Sequence, residues 1–326
     1  LCNLQAGRLL WIGFRGTSVT DEPLLAALAA EGLIGGVLLL ARNVQDEAQL
    51  TRLCAQIHAL TSPHRLGICI DQEGGRVSRL PWLQVPPARQ VAHTTTPAGA
   101  ETLYGQMARS LRRCGVDWNL APVVDVDVNP VSPAIGAWQR SYSAEEDDVT
   151  DYASAFVRAH RTAGVRTCHK HYPGHGSAGE DTHQGLADIT GTWSERELTP
   201  YRNMLQEGLV DAVMPGHLLH RSVDNYWPAS LSAAHMRLLR TQLGWQGVVV
   251  SDDMQMGALS GLGSTAECML RALNLGVDVF LAGNWLTYDL ELPRRWAAMI
   301  EQAILQHQLA EQRLVEAGER LTRLIG

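Results

Sequence analysis

Short apolar runs alternate with amphipathic stretches along almost the whole chain. The runs occupy residues 9–14, 33–40, 66–70, 118–126, 165–168, 210–214, 247–250 and 277–281. Their interiors are mostly continuous rather than alternating, as expected of parallel strands covered on both faces. Between them, apolar positions recur at helical spacing. Residues 22–31 carry Pro23 in a first turn. Residues 46–60 form a second helical segment. Ser143 and Glu146 predict a capping box ahead of a helix over 149–163. Thr199 and Pro200 predict the start of a helix reaching Gly208. Segments 233–243, 266–275, 294–306 and 310–324 complete the series. Strand and helix alternating eight times predict a closed (β/α)8 barrel of the TIM type, α/β in class, as a single domain over 1–326. An open doubly wound sheet is the main rival.

Composition narrows the partners. Apolar residues make up 45% and charged residues 19%, the balance of a soluble globular protein with a sizeable core. A net charge of −7 argues against nucleic acid or an anionic membrane as partner. No apolar run approaches membrane-spanning length. Six cysteines are dispersed (Cys2, Cys54, Cys69, Cys114, Cys168 and Cys268) and none forms a CxxC pair. Cys69 and Cys168 fall in strand-like runs, so reduced, buried thiols and a cytoplasmic location are expected. The first residue is Leu1, which reads as a trimmed terminus, so the lack of a signal-peptide pattern decides nothing.

The chemistry sits just downstream of the apolar runs. Asp71-Gln72-Glu73-Gly74-Gly75-Arg76-Val77-Ser78-Arg79 follows the third, Pro215-Gly216-His217 the sixth, and Ser251-Asp252-Asp253-Met254 the seventh. The fifth is followed by the densest polar run, His169-Lys170-His171-Tyr172-Pro173-Gly174-His175-Gly176, continuing to Asp181-Thr182-His183. In a parallel barrel these places share one face, where active sites are built. Lys170 is the only lysine; the other 26 of 27 strong cations are arginine. An ammonium is a compact charge with three freely aimed donors, whereas guanidinium is a planar fork. Lys170 is therefore read as a ligand to a small, oxygen-rich group. Asp71 and Arg79 are equally well read as a turn cap and its ion pair; Gly74-Gly75 permits a positive-φ turn or close approach to a ligand.

Two further patterns carry chemistry. His169-x-His171-x-x-x-His175 admits a metal site, with His217 as a further ligand, though a lysine beside a dication is unfavourable. Asp181-Thr182-His183 places a carboxylate two residues from an imidazole on a loop whose glycines at 174, 176 and 179 are read as hinges. Such a carboxylate fixes the tautomer and raises the basicity of the imidazole, making an acid/base unit. Asp252, at the end of a valine-rich strand, is a candidate nucleophile. Asp253 is its competitor. Strand alternation predicts the two on opposite faces, one for chemistry and one for capping.

These motifs, in this order, resemble glycoside hydrolase family 3, and within it the single-domain bacterial β-N-acetylhexosaminidases of peptidoglycan recycling. The resemblance rests on Asp71 through Arg79, on Arg140-Ser141-Tyr142-Ser143, on Lys170 through Gly176 with Asp181 and His183, on Asp211-Ala212-Val213-Met214-Pro215, and on Ser251 through Met254. It implies a retaining double displacement without cofactor or metal. Asp252 would form the covalent glycosyl-enzyme, and His183, oriented by Asp181, would be the acid/base. Asp71, Arg79, Arg140, Lys170 and His171 would hold a terminal N-acetylglucosamine. His175 would be structural. Thr182 stands where serine is usual, and residues 184–193 depart from the family pattern, so the terminal sugar is better specified than the leaving group. Competing readings are phosphorolysis or β-glucosidase activity on the same barrel, a metal-dependent hydrolase using His169 and His171, and a sugar-binding protein without turnover.

Overall fold

The apolar runs form parallel strands arranged as a nearly closed barrel, in a computed structural model that describes residues 6–182 and 185–325. In chain order the strands are β1 (Leu10–Ile12), β2 (Gly36–Leu39), β3 (Gly67–Ile70), β4 (Trp118–Asn119), β5 (Arg166–Thr167), β6 (His169–Tyr172), β7 (Ala187–Asp188), β8 (Ala212–Pro215), β9 (Leu218–Leu219), β10 (Val248–Asp253) and β11 (Val279–Ala282). Nine of them pair in the order β5-β4-β3-β2-β1-β11-β10-β8-β6, while β7 and β9 pair separately. The two ends of that order, β5 and β6, are separated only by Cys168. One continuous segment thus pairs with β4 through Thr167 and with β8 through His169. That segment closes the ring and makes nine strand pieces into eight staves, the predicted TIM-type architecture.

Alternation along each strand separates two apolar layers. Trp11, Leu38, Cys69, Trp118, Val250 and Leu281 point into the barrel. Ile12, Leu39, Ile70, Val213, Val249 and Phe280 point outward to the surrounding helices. Trp11 fills the interior edge-on to Trp118, with ring centres 5.5 Å apart. It fits because its neighbours lack side chains: a Cβ on Gly67 would lie 2.1 Å from the indole, and one on Gly36 2.6 Å. Leu321 and Leu324 of the C-terminal helix Glu311–Ile325 join this inner cluster.

The predicted helices are present with shifted ends, and two were missed, the short Ala88–Thr94 and a long one after it. Pro97–Cys114 is an 18-residue helix capped by Thr96 and ended by Gly115 in the left-handed conformation. The Ser143–Glu146 capping box does not form. The helix runs Glu146–Thr162 with Glu145 at its cap, and Ser143 Oγ instead donates to Asp148 and accepts from Glu145 N. The run at 118–126 is also not one strand. It leaves the ladder after Asn119 but stays at the sheet through Leu120 N donating to Ile70 O, Cys168 N donating to Ala121 O and a bridge from Val123 to Lys170.

Candidate active site

A cavity of about 760 Å³ opens at the C-terminal ends of the strands. Asp71, Leu120, Lys170, Met214, Asp252 and Leu281 reach it from β3, β4, β6, β8, β10 and β11 or the residue that follows them. Its floor is closed and its mouth is not: Lys170 and Leu120 are buried, whereas Arg76, Trp138 and Trp285 are exposed.

An ion network builds the floor. Lys170 Nζ lies 2.6 Å from Asp71 Oδ1 and 2.7 Å from Glu73 Oε1. Glu73 also receives Arg140 through Nε and Nη2, each at 2.8 Å, while Arg140 Nη1 donates to the Ala134 carbonyl. Burial alone would raise the Glu73 pKa. The Arg140 guanidinium and the Lys170 ammonium overcome it and hold the carboxyl well below the usual range. Burial would likewise lower the Lys170 pKa, but Asp71 and Glu73 raise it, so the ammonium stays charged in a buried place. The turn above is built by Gln72, a buried amide whose Oε1 accepts from Arg79 N at 2.6 Å and Leu80 N at 3.2 Å. Gly74 and Gly75 have φ of 107° and 56°, so they serve the turn itself. Arg79 lines the cavity, and its buried Nε has no acceptor among the described residues.

Consecutive residues 170 and 171 both face the cavity because the β6–β8 register shifts between Lys170 and Tyr172. His171 is fixed from behind by Asp125, which is fully buried. Asp125 accepts from His171 Nδ1 at 2.8 Å, from His171 N at 3.0 Å and from His175 N at 2.8 Å. A carboxylate acceptor places the proton on Nδ1 and leaves Nε2 for a ligand. Burial would raise the Asp125 pKa, but the two histidines lower it. His175 borders the cavity, bonds Thr182 Oγ1 at 3.3 Å, and has its pKa pushed down to about 4 by burial, then by His171.

The loop after β6 brings Asp181 and Thr182 to the same cavity. Gly174 and Gly176 are not hinges. A Cβ on Gly176 would lie 1.6 Å from the Val126 carbonyl, and one on Gly174 2.5 Å from Glu197 Oε2. They let the loop pack against its support. Further along, Ala258 N donates to Thr182 O, and Trp193 Nε1 donates to Pro173 O. Only at Gly179, of the three, is the space open. His183 and Gln184 lie outside the described residues. Two staves away from β6, at the end of β10, Asp252 and Asp253 both border the cavity. The predicted opposition fails because the β10–β11 register shifts between Val250 and Asp253. The two still differ: Asp253 Oδ1 accepts from Gln255 N and Gly283 N, capping two turns, while Asp252 Oδ1 accepts from Asp253 N.

Residues 7–324 match the family described as Glycosyl hydrolase family 3 N terminal domain. The chain belongs to glycosyl hydrolase family 3. A β-hexosaminidase from Thiobacillus denitrificans is 35% identical over 84% of this chain and 78% of its own length. The family 3 β-N-acetylglucosaminidase of Paenibacillus sp. str. FPU-7 superposes with a TM-score of 0.90 at 31% identity, covering 99% of this chain. This chain spans only 61% of that protein. LpqI of Mycobacterium tuberculosis superposes with a TM-score of 0.86 at 31% identity, over 99% of this chain and 93% of the other.

The family 3 barrel therefore gathers Asp71, Arg79, Arg140, Lys170, His171, Asp181 and Asp252 around one cavity. It does not gather the metal set. His169 is wholly buried away from the cavity, with its pKa pushed down to about 4 by burial, and His217 bonds Ser230 Oγ and the Asp253 carbonyl. Among the described residues no group of three or more His, Cys, Asp and Glu could hold a metal ion. Two residues escaped the sequence reading. Glu73 stood inside a quoted motif, but only the fold shows it joining Lys170 to Arg140. Asp125 lies inside the apolar run at 118–126, where nothing in the sequence singled it out. The described cysteines Cys54, Cys69, Cys114, Cys168 and Cys268 are free and buried. No helix among the described residues is long and apolar enough to cross a membrane.

Proposed function

We propose that this chain is a retaining β-N-acetylglucosaminidase, a single barrel domain that removes terminal β-linked N-acetylglucosamine from muropeptide-type fragments. The observation that carries the reading is that Asp181 and Asp252, remote in sequence, line the same cavity as Lys170. In this reading Lys170, Asp71, Arg79, Arg140 and His171 hold the hydroxyls and acetamido group of the terminal sugar. Three of the five guanidinium N–H groups of Arg140 are already engaged, so it supplies at most the other two.

Asp252 attacks the anomeric carbon as the bond to the leaving oxygen breaks, forming a glycosyl ester. His183, held by Asp181, gives its proton to the leaving oxygen. It then takes one from the water that cleaves the ester, restoring both groups. A histidine suits both steps because it titrates near neutral pH. Most retaining enzymes place a second carboxylate there instead.

Product NMR on a nitrophenyl β-N-acetylglucosaminide, with and without phosphate, tests the assignment. The β-anomer of free N-acetylglucosamine should form first. Initial α-anomer would exclude the double displacement, and a sugar phosphate would make the enzyme a phosphorylase.

A further inference from the structure

The ions of the cavity floor neutralise one another, because Lys170 and Arg140 face Asp71 and Glu73. Arg76 at the mouth belongs to no such set. Its guanidinium carbon sits over the Trp138 ring, 3.4 Å from the centroid. Both residues line the cavity and both are exposed, Trp138 at 40%. No carboxylate or hydrogen-bond acceptor engages the Arg76 side chain among the described residues. An arginine on an open surface is ordinarily free to move. Stacking on an indole restrains the plane of this one and leaves its edge donors directed outward from the ring. A planar fork of donors is matched by a carboxylate.

The place matters as much as the charge. In the glycosidase reading Lys170 and His171, which hold the terminal sugar, are buried, so the leaving group extends towards the exposed rim. Arg76 and Trp138 form part of that rim, with Trp285 exposed there as well. The cavity, at about 760 Å³, lies in the range that holds ligands well beyond one sugar ring. We propose that Arg76, stacked on Trp138, is the recognition element of the leaving-group subsite and takes a carboxylate carried by the aglycone. This rests on the glycosidase reading above and adds to it a specificity for acidic leaving groups. Trp138 is a positioning residue: it aims the guanidinium.

The test compares two aryl glycosides, 3-(carboxymethyl)phenyl N-acetyl-β-D-glucosaminide and its carboxamide, whose methylene keeps the leaving-group acidities close. The nitrophenyl glycoside serves as the common reference. The wild-type enzyme should have the higher kcat/KM on the acid, with the preference shrinking as salt rises. Arg76→Gln should lower the acid-to-amide ratio of kcat/KM by about 10- to 100-fold, the worth of a charge-assisted hydrogen bond. Arg76→Lys should keep part of the preference, and Trp138→Ala should lose part of it while Arg76 remains.

No wild-type preference for the acid, or a ratio unchanged by Arg76→Gln, would overturn the proposal. If added inorganic phosphate yields sugar phosphate in the wild type and not in Arg76→Gln, the anion taken is phosphate and the aglycone assignment is wrong. No turnover of the nitrophenyl glycoside by the wild type would overturn the glycosidase reading, and this proposal with it.

Discussion

Lys170 and Asp71 meet across the barrel mouth with 2.6 Å between ammonium and carboxylate, tying the end of β6 to the end of β3. The pair is buried on the lysine side, and Glu73 completes it at 2.7 Å. Removing the ammonium leaves two carboxylates facing each other with only Arg140 to compensate. Lys170→Met is expected to cost about 3–5 kcal/mol, the scale for breaking a buried ion pair. Urea unfolding measures this, and adding Asp71→Asn should recover part of the loss. Lys170→Arg should not restore activity, because a planar fork cannot replace the small ammonium between Asp71 and Glu73.

Asp125 holds the cavity-facing His171 and the start of the loop that carries Asp181. Asp125→Asn keeps the size but offers an amide where a carboxylate accepted three N–H bonds. Loss of the His171 tautomer should raise KM, and loosening of the His175 backbone should lower kcat. We expect kcat/KM to fall by about 10–100-fold, the range for removing a group that orients a ligating histidine. Steady-state kinetics separating KM from kcat checks it; a change in stability alone would limit Asp125 to a structural role.

Much of this arrangement was legible in the chain, and the exceptions have physical causes. Most of the strands were visible because both their faces are apolar, as Trp11, Leu38 and Cys69 inside and Ile12, Leu39 and Ile70 outside now show; the polar β6 was found from the apolar residues before it. The helix Pro97–Cys114 was equally legible from Thr96-Pro97 and Gly115 but was not read. Register shifts were not legible. They turn His171 and Asp253 towards the cavity against simple alternation. Glu73 and Asp125 were hidden for a different reason: their partners are distant in sequence, and a carboxylate inside a glycine-rich turn or an apolar run has several ordinary uses. Gly174 and Gly176 resembled hinges because a close approach and a flexible joint select the same residue.

The acid/base assignment is tested by leaving-group dependence. With His183→Ala, aryl glycosides with poor leaving groups should lose about 10²–10⁴ in rate, and those with good leaving groups much less. Asp181→Ala should show the same pattern, more weakly. A plot of log kcat/KM against leaving-group pKa would be steeper in both variants than in the wild type. Parallel plots would remove His183 from the role of acid.

The pH dependence of stability carries two opposed signals. His160, His169, His175 and His235 have pKa values lowered to about 4 by burial, from an ordinary 6.5. Between those values the unfolded chain binds more protons, so stability should rise with pH and be lost on acidification. Glu197 is the reverse. Burial beneath Gly174 raises its carboxyl to about 8 from an ordinary 4.5. Across that window the folded chain holds the extra proton, and stability from this group falls as pH rises. Glu197→Gln should therefore gain on the wild type in Tm progressively between about pH 4.5 and 8. Thermal scans at steps across this range check it; a constant difference would place the ionisation of Glu197 elsewhere.

The proposed double displacement requires Asp252 to become covalently bound to the sugar. A fluorinated N-acetylglucosaminyl fluoride that glycosylates quickly and hydrolyses slowly should trap that ester, and peptide mass spectrometry locates it. A single added sugar is expected on Asp252, absent in Asp252→Ala. A label on Asp253 or Asp181, or turnover with no labelled protein at any time, would contradict it.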